Sequence, residues 1–185
     1  MVWIEKKNRM ALLLRDGDVQ SLLEMSDTID ALEQAFTALS HGNAINRPRT
    51  RVVQNNGILH VLAASNTDAG VLGLKTFTVF RQGVRSVVLL FSSEDGRLLA
   101  MIEADWLGRM RTGGTTGLVT RHLAIPTASR VGLIGAGKQA ETQLMGVCAV
   151  RPVQQVAVYS RRLPQNEAFC QRMSQQLGIE VVAVA

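Results

Sequence analysis

The sequence, 185 residues long, lacks any apolar run that could cross a bilayer. One of its longest runs, SVVLLF (Ser86–Phe91), falls far short of the roughly 20 residues that a spanning helix needs. At the N-terminus, charged residues precede only a short apolar segment that ends at RDGD, which is a poor signal peptide. We therefore expect a soluble, cytoplasmic protein with no membrane partner.

Cysteine is scarce, and the basic residues form no dense run. Cys148 and Cys170 fall in predicted helices without the spacing of metal ligands, so we expect free thiols and no metal site. The net charge is +5, from 20 Lys and Arg against 15 Asp and Glu. Because the basic residues are scattered and not interleaved with aromatic ones, we expect a small anionic ligand and no nucleic-acid partner.

Residues 1–128 predict a largely antiparallel α+β domain. SDTIDALEQAFTALSHGN predicts a helix that is capped by Ser26 and ended by Gly42. Asn56-Gly57 predicts a hairpin between the β runs on either side of it. VLGLKTFTVF and SVVLLF predict two further strands, and SSEDG turns the chain into RLLAMIEA as another hairpin.

A glycine-rich helix is predicted over WLGRMRTGGTTGLVTRHLA, with Asp105 as its cap and Pro126 after its end. Each glycine inside a helix costs about 0.5–1 kcal/mol relative to alanine. The usual reason to keep such residues is the close approach of another backbone or of a ligand. The glycines concerned are Gly108, Gly113, Gly114 and Gly117.

Residues 129–185 read β-α-β-α-β, the first half of a doubly wound Rossmann domain. The fold class is therefore α/β: an N-terminal α+β domain for substrate and dimer contacts, followed by a partial Rossmann domain. In the usual strand order, a fourth strand pairs with the free edge of the first, and this chain has none. Because the third strand ends at Ala185, we expect a truncated chain or one that a partner completes.

The turn in VGLIGAGKQAETQ has the features of a dinucleotide pyrophosphate cradle. Gly135 permits the tight turn, Gly137 admits close approach of the phosphates, and Ala140 lets the helix pack on the strand. The free N–H groups and partial positive charge of the helix N-terminus favour a bound phosphate. The alternative is a glycine turn in a βαβ unit that binds no ligand.

An acidic residue is missing where an NAD enzyme usually has one, at the end of the second Rossmann strand. VAVYS is followed by arginines, and Ser160, Arg161 and Arg162 can bind a 2′-phosphate through charge-assisted hydrogen bonds. This pattern favours NADP(H) over NAD(H). The alternative is that one or both arginines are solvated surface residues.

The chain resembles the ornithine cyclodeaminase/mu-crystallin family from Met10 onward. The matching segments are RPRTRVV, GLKTFTVF, VVLLFSSEDGRLLAMIEADWLGRMRTGGTTGLVTRHLA, VGLIGAGKQAETQL and AVRPVQQVAVYSRR, with the trailing GIEVV. The resemblance implies a homodimer in which a Rossmann domain adjoins an α+β domain that forms the substrate pocket. Its members include cyclodeaminases, alanine and arginine dehydrogenases, and reductases of cyclic ketimines.

The resemblance also implies site residues. Lys75 and Arg111 match family residues that contact the substrate carboxylate or the reacting carbon, and Lys75 is the candidate proton donor. A third basic residue maps to Arg49, or to Arg51 if the first hairpin contains a gap. Ser86 and Arg111 resemble residues that flank the nicotinamide, while Lys138 and Gln139 fall at the phosphate turn. We expect the three histidines, His41, His60 and His122, to be structural.

The leading hypothesis is an oxidoreductase that transfers a hydride between NADP(H) and the α-carbon of a small amino acid or cyclic imino acid. One alternative is ornithine cyclodeaminase, which forms proline and ammonia while NAD is recycled. Another is a protein that binds NADPH and a small ligand without turnover, or an inactive fragment. The resemblance places the acid that works opposite the lysine beyond Ala185, which keeps these alternatives open.

Overall fold

The computed structural model describes residues 10–161 and 163–184, so that Arg162 lies outside the described residues. The chain divides into two compact units. The first contains the described residues up to Ser21 together with Thr37–Asp105, and the second contains Leu22–Phe36 and the described residues from Trp106 onward. The domain boundary predicted after residue 128 stays a prediction.

The first unit is built on a mostly antiparallel seven-stranded sheet with the order β1-β7-β6-β5-β4-β2, in which β3 also pairs with β4. β1 runs parallel to β7, and the other pairs are antiparallel. The strands are β1 (Leu12–Leu14), β2 (Ala44–Asn46), β3 (Thr50–Gln54), β4 (Gly57–Asn66), β5 (Val71–Phe80), β6 (Gly83–Ser92) and β7 (Leu98–Glu103).

Two helices in this part of the chain differ from the predictions. A helix that the sequence reading missed, α1 (Asp16–Leu22), follows β1. The next helix, α2 (Met25–Ser40), begins before Ser26, so the prediction that Ser26 caps it was wrong. Gly42 lies just past the end of α2 with a φ of 78°, which agrees with its predicted role as the helix stop.

The first hairpin forms, but its turn lies one residue earlier than Asn56-Gly57. Gln54 pairs with Gly57, which leaves Asn55 and Asn56 as the loop. Gly57 instead faces Phe80, its partner on β5, and a Cβ at Gly57 would lie 2.7 Å from that ring. The glycine thus leaves room for the Phe80 ring on the neighbouring strand.

The second unit confirms the predicted first half of a doubly wound sheet. Its strands run parallel in the order β10-β9-β8, and helices connect them. Apolar residues on both helices and all three strands form its core, among them Leu144, Val156, Phe169 and Met173. The elements are α3 (Asp105–Leu123), β8 (Arg130–Ile134), α4 (Lys138–Cys148), β9 (Gln155–Tyr159), α5 (Leu163–Leu177) and β10 (Glu180–Val184).

The glycines of α3 are explained by close helix packing within the second unit. A Cβ on Gly113 would overlap the carbonyl group of Thr142, and one on Gly117 would lie 2.6 Å from the carbonyl oxygen of Gly146. A Cβ on Gly114 would lie 2.8 Å from Thr28 on α2. Close backbone approach, one of the two expected reasons, is therefore confirmed at Gly113 and Gly117, whereas Gly114 packs against side chains of α2. Among the described residues, no helix is long and apolar enough to span a membrane.

Candidate functional site

The turn between β8 and α4 has the geometry expected of a phosphate cradle. The chain leaves β8 through Gly135, whose φ of 101° is one that side-chain-bearing residues rarely adopt. The Gly135 N–H donates a 2.7 Å hydrogen bond to the carbonyl oxygen of Tyr159, which fixes the turn against the end of β9. α4 then begins at Lys138, and no side chain caps its N-terminus.

Gly137 faces open space, which is the feature that fits a pyrophosphate. Its φ of −88° suits any residue, and an added Cβ would meet no atom within 4 Å. Neither backbone strain nor packing within the protein therefore requires a glycine here. A Cβ would instead fill the approach to the uncapped N–H groups of α4, where an anion is favoured. The residues present thus fit the phosphates of a dinucleotide.

An open cleft of about 690 Å³ lies in front of this turn. Four predicted residues line it, namely Gly135, Gly137, Ser160 and Arg161. The lining also includes Gln165, which sequence reasoning missed because no motif marks the first turn of α5. The predicted residues Lys138 and Gln139 are exposed in the first turn of α4.

Two further residues that the sequence did not mark hold the elements around the cleft. Arg109 on α3 donates to the carbonyl oxygen of Lys138 at 3.0 Å and to the carboxylate of Glu141 at 2.6 Å. Asn166 on α5 is fully buried, and its side-chain amide donates a 2.8 Å hydrogen bond to the carbonyl oxygen of Val158. Each contact fixes one wall of the cleft.

In the first unit, several predicted residues share one face of the sheet. A row of directly opposed residues crosses four strands: Arg51, His60, Phe77 and Ser86. Directly opposed side chains lie on the same face, and Lys75 joins them because it is two residues before Phe77. The sequence could not reveal this row, because it depends on the register of three strand pairs.

Phe77 is the centre of this group, here called the Phe77 cluster (Arg49, Arg51, His60, Lys75 and Phe77). The Arg49 guanidinium carbon lies 5.9 Å and the Lys75 Nζ 5.7 Å from the centre of the ring. The His60 ring stacks on Phe77 with centroids 4.3 Å apart and planes 9° from parallel. Arg49 and Lys75 thus contact the same aromatic ring, at distances typical of cation–π pairs.

His60 is the most buried polar group of the cluster, with 6% of its surface exposed. Burial lowers the pKa of its imidazole, and the positive charges of Arg49 and Arg51 lower it further. Both effects favour the neutral imidazole. Its Nδ1 is buried and has no hydrogen-bond partner within the part of the chain that the structure describes.

Two further predicted residues lie outside the Phe77 cluster. Ser86 lines a cavity of about 450 Å³ whose walls include Asp16, Glu103 and Asp105. Its predicted place beside the nicotinamide stays a prediction. Arg111 lies on α3 in the second unit with its side chain exposed, and its predicted contact with substrate likewise stays a prediction.

Comparison with known proteins settles the family. The family model described as "Ornithine cyclodeaminase/mu-crystallin family" matches residues 9–185. The chain belongs to this family. Its predicted membership is thereby confirmed, along with the predicted α/β fold class.

Three relatives illustrate the match. The chain is 29% identical over 178 residues to Delta(1)-pyrroline-2-carboxylate reductase of Bacillus cereus (strain ZK / E33L), covering 90% of this chain and 54% of the relative. The Thermococcus litoralis reductase of the same name, solved with NADH and L-proline, superposes with a TM-score of 0.87 and 32% identity, over 94% of this chain and 56% of the other. An archaeal alanine dehydrogenase dimer with bound NAD superposes with a TM-score of 0.87 and 27% identity, over 95% of this chain and 56% of the other. The chain therefore spans about half the length of these family members.

Proposed function

We propose that this protein takes part in hydride transfer between a nicotinamide dinucleotide and the α-carbon of a small amino acid or cyclic imino acid. The observation that carries the proposal is the Phe77 cluster, in which Arg49 and Lys75 flank one ring on the sheet face that also bears Ser86. Two cations beside an aromatic ring suit a small carboxylate with an apolar body. The phosphate cradle at Gly135 and Gly137 supports the dinucleotide, as do the relatives solved with NADH or NAD.

The chemistry assigns a separate task to each residue. The bound nicotinamide would supply the hydride to the carbon of a C=N bond, or accept it in the reverse direction. Arg49 binds the carboxylate, with Arg51 as the alternative, and Arg111 is proposed as a second carboxylate ligand. Lys75 holds a proton at Nζ for the substrate nitrogen, which gains one proton when the carbon gains the hydride.

For the cofactor, we propose a preference for NADP(H). The observation in support is the lining of the cleft, where Ser160 and Arg161 lie at the end of β9 without a carboxylate among the lining residues. A guanidinium there favours a 2′-phosphate, whereas a carboxylate would repel it. Arg162 is proposed as a second phosphate ligand, on the sequence alone.

Arg161→Glu tests the cofactor preference. Fluorescence titration should show that this variant binds NADPH at least about tenfold more weakly than the wild type, a change of about 1.4 kcal/mol, while NADH binding is kept or improved. Arg172→Glu, on the exposed part of α5 outside the cleft lining, is the matched charge control and should leave both affinities unchanged. Equal NADPH affinity in wild type and Arg161→Glu would contradict the preference.

As a partner we propose a second copy of the chain. The sheet face opposite Lys75 carries apolar side chains that are at least 37% exposed in the single chain: Leu13, Val52, Leu59, Leu72 and Met101. An apolar face of this extent favours association, and the archaeal alanine dehydrogenase relative is a dimer. Leu59→Lys should shift a dimer to monomer in light scattering, and a dimer that persists in Leu59→Lys would count against this face.

Turnover assays separate this function from its alternatives. We expect NADPH oxidation with Δ1-pyrroline-2-carboxylate or its six-membered ring homologue, and its loss in Lys75→Met. Ammonia release from ornithine would identify the cyclodeaminase instead. Saturable NADPH and carboxylate binding without either reaction would identify a binding protein, while a chain that binds neither would refute the proposal.

A further inference from the structure

Within the Phe77 cluster, His60 has a buried ring nitrogen whose hydrogen bonding the packing does not explain. Its side chain is 6% exposed, and its Nδ1 lacks a hydrogen-bond partner among the residues described here. A buried polar atom without a partner destabilises a fold, so such atoms often mark places where a ligand completes the hydrogen bonding. The sequence alone predicts a structural role for this histidine.

The surroundings of His60 determine which ligand group can be its partner. Its ring stacks on Phe77, is opposed across the strands by Arg51, and feels the positive charges of Arg49 and Arg51. These arginines supply N–H donors for a carboxylate, so the cluster does not need another donor. A neutral imidazole adds what the cluster lacks, which is a nitrogen lone pair that can accept a hydrogen bond.

We propose that His60 contacts the substrate through Nδ1, which accepts a hydrogen bond from the N–H of an amino or imino acid whose carboxylate is bound by the neighbouring arginines. This inference rests on the proposed function and deepens it. His60 becomes the residue that distinguishes α-amino and imino acids from carboxylates that have no nitrogen. The imidazole carries its own proton on Nε2 in this arrangement.

Two matched ligands test the assignment on the full chain. L-proline and cyclopentanecarboxylate have the same ring size and the same carboxylate, but only proline has a ring nitrogen. Calorimetric titration of both ligands measures the contribution of the nitrogen as the ratio of their dissociation constants. We expect the wild type to bind proline at least about tenfold more tightly, as one good hydrogen bond allows.

Three substitutions locate the hydrogen bond on the imidazole. His60→Asn keeps a polar atom near the position of Nδ1, His60→Gln keeps one near Nε2, and His60→Phe keeps only the stacked ring. We expect His60→Asn to keep the tighter binding of proline relative to cyclopentanecarboxylate. In the other two variants this preference should fall about tenfold, so that the two dissociation constants become nearly equal. Binding of cyclopentanecarboxylate should stay within about threefold in all three, since its carboxylate contacts the arginines.

The melting temperature of His60→Phe distinguishes a substrate-binding histidine from a purely structural one. Because Nδ1 has no partner within the described chain, His60→Phe should keep or raise the melting temperature while it abolishes discrimination between the ligands. A lower melting temperature with an unchanged ligand ratio would overturn the assignment to substrate contact. Equal losses for both ligands would overturn the assignment to the nitrogen.

Failure of the proposed function has a different signature. A wild type that binds neither ligand, with or without NADPH, would refute the substrate class and this inference together. A wild type that binds proline with the expected ratio, in which the three variants behave alike, would leave the substrate class standing and refute only the role of His60.

Discussion

The guanidinium of Arg109 donates a 2.6 Å hydrogen bond to the carboxylate of Glu141, and its Nε donates to the carbonyl oxygen of Lys138. Both side chains of the ion pair are less than one-fifth exposed. The contact ties α3 to the first turn of α4, where the phosphate cradle begins. The basic side chain thus fixes the helix terminus that is proposed to bind phosphate.

Loss of this contact should weaken both folding and cofactor binding. Arg109→Met leaves the largely buried Glu141 carboxylate without its partner, so we expect the free energy of unfolding to fall by about 1–3 kcal/mol. Urea denaturation measures this change. Arg97→Met, which removes an exposed pair with Asp95, is the control and should cost no more than about 0.5 kcal/mol. Similar values for the two variants would show that the Arg109 contact is no more important than a surface pair.

Alanine at Gly113 should be strongly destabilising, because its Cβ would overlap the Thr142 carbonyl group. Helix propensity alone would make alanine better than glycine by about 0.5–1 kcal/mol, but the overlap forces α3 and α4 apart at a cost of about 1–3 kcal/mol or more. Gly17→Ala in α1, where nothing lies within 4 Å, is the matched control. Thermal unfolding should rank the proteins Gly17→Ala, wild type, then Gly113→Ala, and the reverse order would contradict the packing account.

The two cysteine thiols should react slowly in the folded chain. Burial raises the pKa of Cys148 from 9.0 to about 11, and burial also raises that of Cys170. At pH 8 the thiolate fraction of Cys148, and hence its alkylation rate, should fall about 100-fold relative to the unfolded chain. Mass spectrometry after timed iodoacetamide treatment measures each site.

The raised pKa of Cys148 also makes the stability of the folded chain fall at alkaline pH. Because the folded-state pKa of Cys148 is raised, its contribution to stability is fully present below pH 9.0 and is lost as the pH rises toward about 11. Cys148→Ser should reduce this alkaline loss of stability. Fast labelling of Cys148 in the native protein at pH 8 would contradict its burial.

The sequence predicted the helices and strands well where local residue patterns determine them. VLGLKTFTVF coincides with β5, and the glycine-rich turn, α4 and β9 occur in the predicted order. The turn of the first hairpin lies one residue earlier than Asn56-Gly57, because Gln54 pairs with Gly57 and leaves Asn55 and Asn56 as the loop. The prediction of a Ser26 cap was wrong because α2 begins one residue earlier, at Met25.

Long-range contacts account for what sequence reasoning missed. Arg109 reaches Glu141 across two elements, and Asn166 supports β9 only because α5 folds back on that strand. Nothing local distinguishes either residue from an ordinary surface arginine or a helix-start asparagine. The stacking of His60 on Phe77 likewise depends on the β4–β5 register, which no local pattern reveals.

The most direct test of the central claim is a fluorescence titration of NADPH into wild type and Gly137→Ala. Alanine fits the backbone at Gly137, and its Cβ would meet no protein atom within 4 Å, so stability should change by less than about 0.5 kcal/mol. We expect saturable binding to the wild type and at least about tenfold weaker binding to the variant, because the methyl group blocks the pyrophosphate. Equal affinities, or no binding by the wild type, would contradict the assignment of this turn to a dinucleotide.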